Sequence, residues 1–274
     1  MRKTLNSVTL SVCFVMSFCA LTLAKDQCVE GCDDRILHGD IADAELYPSY
    51  VSIRRVSEAS ETGDANGCGG VLVSDRWVLT AAHCASVFDP DFPLGYDGTG
   101  KVAVHLNNQG EFEKRINIAE FYKHPGGNIG TRYKGGVDAA LIKLTDNALN
   151  YGVEKIQLYR REKPVGKEVK VVGLGLNDND DADNFPLLRY FVSRVTTDDH
   201  CISPLPEDAY LYNPIYNLCV GIDGVEKRTS YGDSGGPLYI LNDETGMVKV
   251  AGIVGGGVST GLNEESLELS LIHI

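Results

Sequence analysis

The feature that most constrains this chain is its punctuation: short apolar and aromatic runs recur between clusters of Gly, Asp, Asn and Pro. Tyr50 to Val56, Gly70 to Val73, Trp77 to Ala81, Lys101 to Leu106 and Ala139 to Leu144 form one set, and Glu168 to Val172, Leu188 to Val195, Pro237 to Leu241 and Val248 to Val254 a second. Runs of this length bounded by turn formers read as strands. Long amphipathic helices, which would alternate with the strands of a parallel sheet, are missing from the pattern. Two sets of short strands predict an all-β chain of two antiparallel β-barrels, with the boundary near Ala148 to Arg160. Asp89 to Gly100 reads as a long surface loop.

Charge narrows the partners. At 274 residues with a net charge of −13, the chain is a poor match for nucleic acid or an anionic membrane. Arg2 and Lys3 precede an apolar stretch from Val8 to Leu23, and Ala24 is a small residue before a plausible cut, so residues 1–24 read as a secretory signal. Export favours disulfides. Cys13 and Cys19 would leave with the signal, and six cysteines remain: Cys28, Cys32, Cys68, Cys84, Cys201 and Cys219. Their spacing alone does not assign the pairs.

The chemistry concentrates in Tyr231-Gly232-Asp233-Ser234-Gly235-Gly236-Pro237-Leu238. A serine between glycines has its hydroxyl clear of bulky neighbours, and Gly232 leaves the backbone free to aim its N–H, with that of Ser234, at a developing oxyanion. Serine is a weak nucleophile without a base, and the base needs an orienting carboxylate. His83, in Leu79-Thr80-Ala81-Ala82-His83-Cys84, and Asp138, in the apolar run Val137 to Leu144, are the candidates. Gly232 to Gly236 also satisfies G-x-S-x-G, the nucleophile elbow of α/β-hydrolases. That fold would need its acid and then its histidine after the serine, and the one downstream histidine is His273.

The segments around His83, Asp138 and Ser234 resemble, motif by motif and in the same order, the trypsin/chymotrypsin-like serine endopeptidases, from about Ile36 to about Gly257. The resemblance implies two six-stranded Greek-key barrels with the active site in the cleft between them. It implies Ser234 as nucleophile, His83 as base and acid, Asp138 as orienter and the N–H groups of Gly232 and Ser234 as oxyanion hole. It also implies disulfides Cys68–Cys84 and Cys201–Cys219, which leaves Cys28 and Cys32 for each other or for a partner chain. Arg35-Ile36 resembles the family's activation junction, where cleavage frees an isoleucine amine to pair with Asp233. Residues 25–35 would then be a propeptide and 36–274 the peptidase domain, with barrels of about 36–150 and 151–274. The expected partners are protein or peptide substrates, an activating protease and protein protease inhibitors. No cofactor and no metal are expected: the acidic run Asn177 to Asn184 lacks the Gly and terminal Glu of an EF-hand loop.

Some positions depart from the family pattern. Leu37 and His38 stand where valine and glycine are usual, and Arg228 stands where an aspartate would select basic substrates. Gly255, Gly256 and Gly257 replace the usual Ser-Trp-Gly of the pocket wall, and the segment to Ile274 shows neither the usual final strand nor a C-terminal helix. With Arg228, Gly255 and Gly257 as the specificity pocket, an acidic or polar residue would fit better before the cut bond than a basic one; with Arg228 instead turned to solvent or paired with Glu226 or Asp223, Lys227 or Thr229 would face the pocket, and neither supplies a negative charge. The expectation is a secreted zymogen of an endopeptidase. Its rival is a weak or inactive protease homologue that binds proteins, since fold does not dictate activity.

Overall fold

The computed structural model describes residues 36, 39–55, 67–87, 100–106, 112–126, 137–175, 187–202, 212–221, 227–230, 232–241, 245–256, 258–259, 266–267 and 270–271. Six strands close the first barrel: β2 (Tyr50–Arg55), β3 (Cys68–Ser74), β4 (Trp77–Thr80), β7 (Ala140–Leu144), β6 (Phe112–Lys123) and β5 (Gly100–Leu106), in that spatial order. Every pairing around it is antiparallel. Alternation fills the barrel, as in β7, where Ala140, Ile142 and Leu144 are buried while Leu141 is turned outward. Ile53, Leu72, Val78, Val102, Ile116 and Ile142 meet inside.

The second half is a sheet of antiparallel strands. β1 (Asp40–Ile41), β9 (Arg189–Thr196), β8 (Glu168–Gly173), β11 (Pro237–Leu241), β12 (Val248–Val254) and β15 (Ser270–Leu271) run side by side, and β10 (Cys219–Val220) also pairs with β9. Val169, Val171, Phe191, Leu238, Ile240 and Ala251 form its core, and the Ile36 side chain is buried among them. A further cluster joins Tyr50, Val71 and Leu79 of the first barrel to Val172, Tyr239 and Ile253 of the second sheet. Together these are the all-β chain in two antiparallel halves that the strand pattern predicts; among the described residues the first barrel is closed and the second sheet is open.

Two differences from the sequence reading are instructive. β6 was not among the expected strands, because Lys114, Arg115, Glu120 and Lys123 dilute its apolar signal. Ile116 is buried and Ile118 and Phe121 pack against the barrel core, while Lys114 and Glu120 are exposed, so their charge costs little. At the other end, β15 takes the free edge of β12, with Ile253 opposite Leu271 and Val254 opposite Ser270. The tail therefore supplies a short edge strand, and β13 (Val258–Ser259) pairs with β14 (Ser266–Leu267) before it. Most of the expected loop Asp89 to Gly100, the acidic run Asn177 to Asn184, and the 1–24 and 25–35 segments with Cys28 and Cys32 lie outside the described residues. Among the described residues no helix is long and apolar enough to cross a membrane.

Candidate active site

The histidine is set at the end of β4, where a 3-10 turn over Ala82–Val87 begins. Cys84, one residue on, is bonded to Cys68 at the start of β3, so the turn is tied to the neighbouring strand. The other disulfide implied by the resemblance, Cys201–Cys219, is also formed. Asp138 lies two residues before β7, the strand paired with β4, and this adjacency brings it to His83. Its carboxylate accepts two bonds from that one residue: from the backbone N–H of His83 at 2.8 Å and, on the other oxygen, from ring Nδ1 at 2.6 Å. Both side chains are largely shielded, at 14% and 16% exposure. With Nδ1 donating to the carboxylate, Nε2 carries the ring's lone pair and is the nitrogen that can accept a proton.

Ser234 arrives from the other half of the molecule. Its loop is docked onto the first barrel by the bond from Gly69 N–H to the Ser234 carbonyl, 2.7 Å. It is docked onto the second sheet by Gly235 N–H to Val254 O and Val254 N–H to Gly236 O. The close fit requires glycine at Gly235: its φ is +78°, and a Cβ there would lie 2.1 Å from Thr80 Oγ1. Gly232 has φ +99°, again a left-handed backbone. Within this turn the N–H groups of Asp233, Gly235 and Gly236 are spent on Ser230, Val254 and Asp233 carbonyls. Among the described residues, those of Gly232 and Ser234 have no acceptor. Two unspent donors flanking one aspartate are what an anion site on this loop requires.

Asp233 itself points inward. It is fully buried, and its carboxylate accepts from Gly175 N–H at 2.7 Å and Ser230 N–H at 2.8 Å. Burial pushes its pKa up to about 7, against the opposing pull of those two N–H donors. Gly173 and Gly175 make room for it, since a Cβ on either would fall within 2.0 to 2.4 Å of a carboxylate oxygen. Ile36 shows φ +41°, an uncommon conformation for a β-branched residue, with its side chain wholly buried.

Of the pocket residues, Arg228 is partly buried, Gly255 is buried, and Gly257 lies outside the described residues, as does Arg35. Lys227, beside Arg228, is engaged elsewhere, in an ion pair with Asp40 at 2.9 Å. Sequence reasoning missed the roles of Lys227, Gly173 and Gly175. Nothing marks the lysine in the chain, but Gly173-Leu174-Gly175 was visible as a glycine pair at a strand end. Among the described residues, Cys68, His83 and Cys84 have metal-like proximity. Both sulfurs are consumed by the disulfide, so neither offers a thiolate.

Comparison with known proteins agrees with this geometry. The family model described as Trypsin matches residues 36–267. Human Kallikrein-7 is 31% identical over 218 residues, covering 78% of this chain and 76% of that protein. Pig Trypsin is 31% identical over 222 residues, 79% of this chain and 84% of that one. Serine protease Hayan of Drosophila melanogaster is 28% identical over 236 residues, which is 81% of this chain but 35% of Hayan. The chain belongs to the trypsin family of serine proteases.

Proposed function

We propose that this chain is a secreted serine endopeptidase, made as an inactive precursor and cutting peptide bonds through an acyl-enzyme. The observation that carries the reading is the pairing of the doubly bonded His83 and Asp138 with a docked Ser234 loop whose Gly232 and Ser234 N–H groups are unspent. Ser234 Oγ attacks the scissile carbonyl and gives its proton to His83 Nε2, which returns it to the leaving amine. Asp138 holds the ring in the needed tautomer and offsets the imidazolium charge. The Gly232 and Ser234 N–H groups receive the oxyanion. Water then repeats the sequence to release the acyl group.

Activation is read from the other side of the loop. Asp233 is a fully buried carboxylate with two N–H donors and no cation beside it among the described residues, and burial outweighs the donors in favouring its neutral form. Cleavage between Arg35 and Ile36 would release an α-amine to serve as countercharge, with the Ile36 side chain already seated in the second sheet's core. It would also remove the constraint on φ of Ile36, which exists only while the peptide bond before it is intact. Arg228 at the pocket would turn specificity away from arginine and lysine and toward acidic or polar residues.

The test is labelling by a fluorophosphonate probe. The chain cut at Arg35-Ile36 should be labelled at Ser234 and hydrolyse peptides, and the uncut chain should do neither. Ser234→Ala should lose both labelling and hydrolysis. Hydrolysis retained by Ser234→Ala, or active material whose N-terminus precedes Ile36, would overturn the mechanism or the activation step respectively.

A further inference from the structure

Away from Ser234, a groove of about 780 Å³ runs along the segment that connects the two halves. Its walls include Lys155, Arg160, Arg161 and Lys249, and no Asp or Glu is among the described residues that line it. That is an inversion of the chain's character, because the sequence as a whole has 38 acidic against 25 basic residues. Lys155 is partly neutralised by Asp75 at 3.0 Å, which leaves Arg160 and Lys249 as the main sources of positive charge in the groove. The same groove exposes apolar surface: Met247 and Val248 are each about half exposed, at 50% and 51%.

The backbone beneath is fixed. Leu158 bridges Val250 in parallel, with Tyr159 N–H bonded to Val250 O at 2.8 Å and Val250 N–H to Gln157 O at 3.0 Å. Ile156 N–H adds a bond to Leu72 O in the first barrel. A concave surface held this way needs little ordering on binding. Positive charge over apolar walls suits a ligand carrying carboxylates and hydrophobic side chains together. A sulfated glycan would leave the exposed apolar side chains of Met247 and Val248 unused.

We propose that this groove is a docking site for an acidic polypeptide segment bearing apolar side chains, contributed by a partner protein and separate from the Ser234 site. The groove would read carboxylates with Arg160 and Lys249 and apolar side chains with Met247 and Val248. The probe is a fluorescein-labelled peptide of alternating glutamate and leucine, titrated by anisotropy into the full chain carrying Ser234→Ala, so that the peptide is not consumed. Saturable binding that weakens with salt is expected. The double variant Arg160→Glu, Lys249→Glu should bind about tenfold or more weakly. The milder Lys249→Gln and Met247→Ser should each bind severalfold more weakly, which keeps the test valid should the double variant fail to fold. On the Ser234 background the same groove variants should hydrolyse a small ester as the parent does. The proposal is overturned by no binding to the folded chain, by affinity unchanged in the groove variants, by equal binding of a glutamate–serine peptide, or by heparin binding while the peptide does not.

Discussion

The two halves of the active site are built to different degrees of completion. On the first barrel, His83 and Asp138 satisfy each other with two bonds from adjacent strands, behind a disulfide, in a barrel that closes on itself. On the second sheet, Ser234 rides on a loop whose only buried ionisable anchor, Asp233, lacks a cationic partner among the described residues, and the sheet around it is open. A satisfied His83–Asp138 pair beside a loop whose buried carboxylate lacks a cation fits the latent protease proposed above. On that proposal control would reside in the serine half, where the buried Asp233 carboxylate is held by two N–H donors.

The contrast breaks most severely at the histidine half. Asp138→Asn should leave the fold intact, yet the amide would present a donor to Nδ1 and favour the wrong tautomer. We expect kcat of the cleaved enzyme to fall about 10⁴-fold, with thermal stability nearly unchanged. Steady-state kinetics beside a melting curve checks both. A fall of less than about tenfold would mean that the His83–Asp138 geometry does not set the ring's role.

The next effect is on the serine half and is a pH dependence. In the uncut chain Asp233 holds its proton up to about pH 7, whereas its ordinary value is 3.8. Between those values the folded chain binds more protons than the unfolded chain, so stability from this group is greatest at the acid end. It declines as pH rises through that window and is level above it, a change on the order of a few kcal/mol. Urea unfolding of the precursor across the window should show the slope, and Asp233→Asn, which does not titrate, should lack it. After cleavage at Arg35 the new amine should abolish or reverse the difference between the two proteins. Identical slopes in precursor and Asp233→Asn would remove Asp233 as the pivot of the comparison.

Much of this was legible in the sequence, and unevenly. The strands were readable where apolar side chains alternate or run together, as in Val78 to Thr80, and the nearness of His83 and Asp138 was suggested by the distinctive local motifs in which they and Ser234 sit. β6 was hidden by its own solvent-facing charges, and β15 by brevity: a two-residue edge pair leaves no periodic trace. The fit of Asp233 against Gly173 and Gly175 was hidden for another reason. It joins residues some 60 positions apart through space, and a glycine in the sequence does not say what it makes room for.

That fit gives a third, smaller effect. Gly173→Ala would set a Cβ 2.0 Å from Asp233 Oδ1, so the carboxylate or the end of β8 must move, at a cost of about 1–3 kcal/mol. Gly246→Ala is the control: its φ of +65° disfavours a side chain, but no atom lies within 4 Å of the added carbon. Melting temperatures should rank wild type above Gly246→Ala above Gly173→Ala. Labelling of Ser234 after cleavage should fall in Gly173→Ala alone, because only that change disturbs the loop beside the serine.

The smallest effect tests whether surface contacts share in holding the serine half. Lys227 Nζ meets Asp40 Oδ2 at 2.9 Å, which fastens the loop leading to Ser234 to β1 near Ile36. The lysine is about a third exposed and the aspartate about half, so solvent and salt screen the attraction and the pair contributes no more than about 1 kcal/mol. Ser230 and Asp233 lie just beyond Lys227 in the chain, and their bond ends on the fully buried Asp233 carboxylate, less open to salt than the surface pair. Lys227→Gln should therefore destabilise the precursor by less than 1 kcal/mol on the order of a surface pair, and the gap from wild type should close in high salt. Denaturant unfolding at two ionic strengths measures it. A salt-insensitive loss of about 2 kcal/mol or more would place the loop's main anchor at the surface pair, and the serine half would then be governed from β1 and not from the buried Asp233.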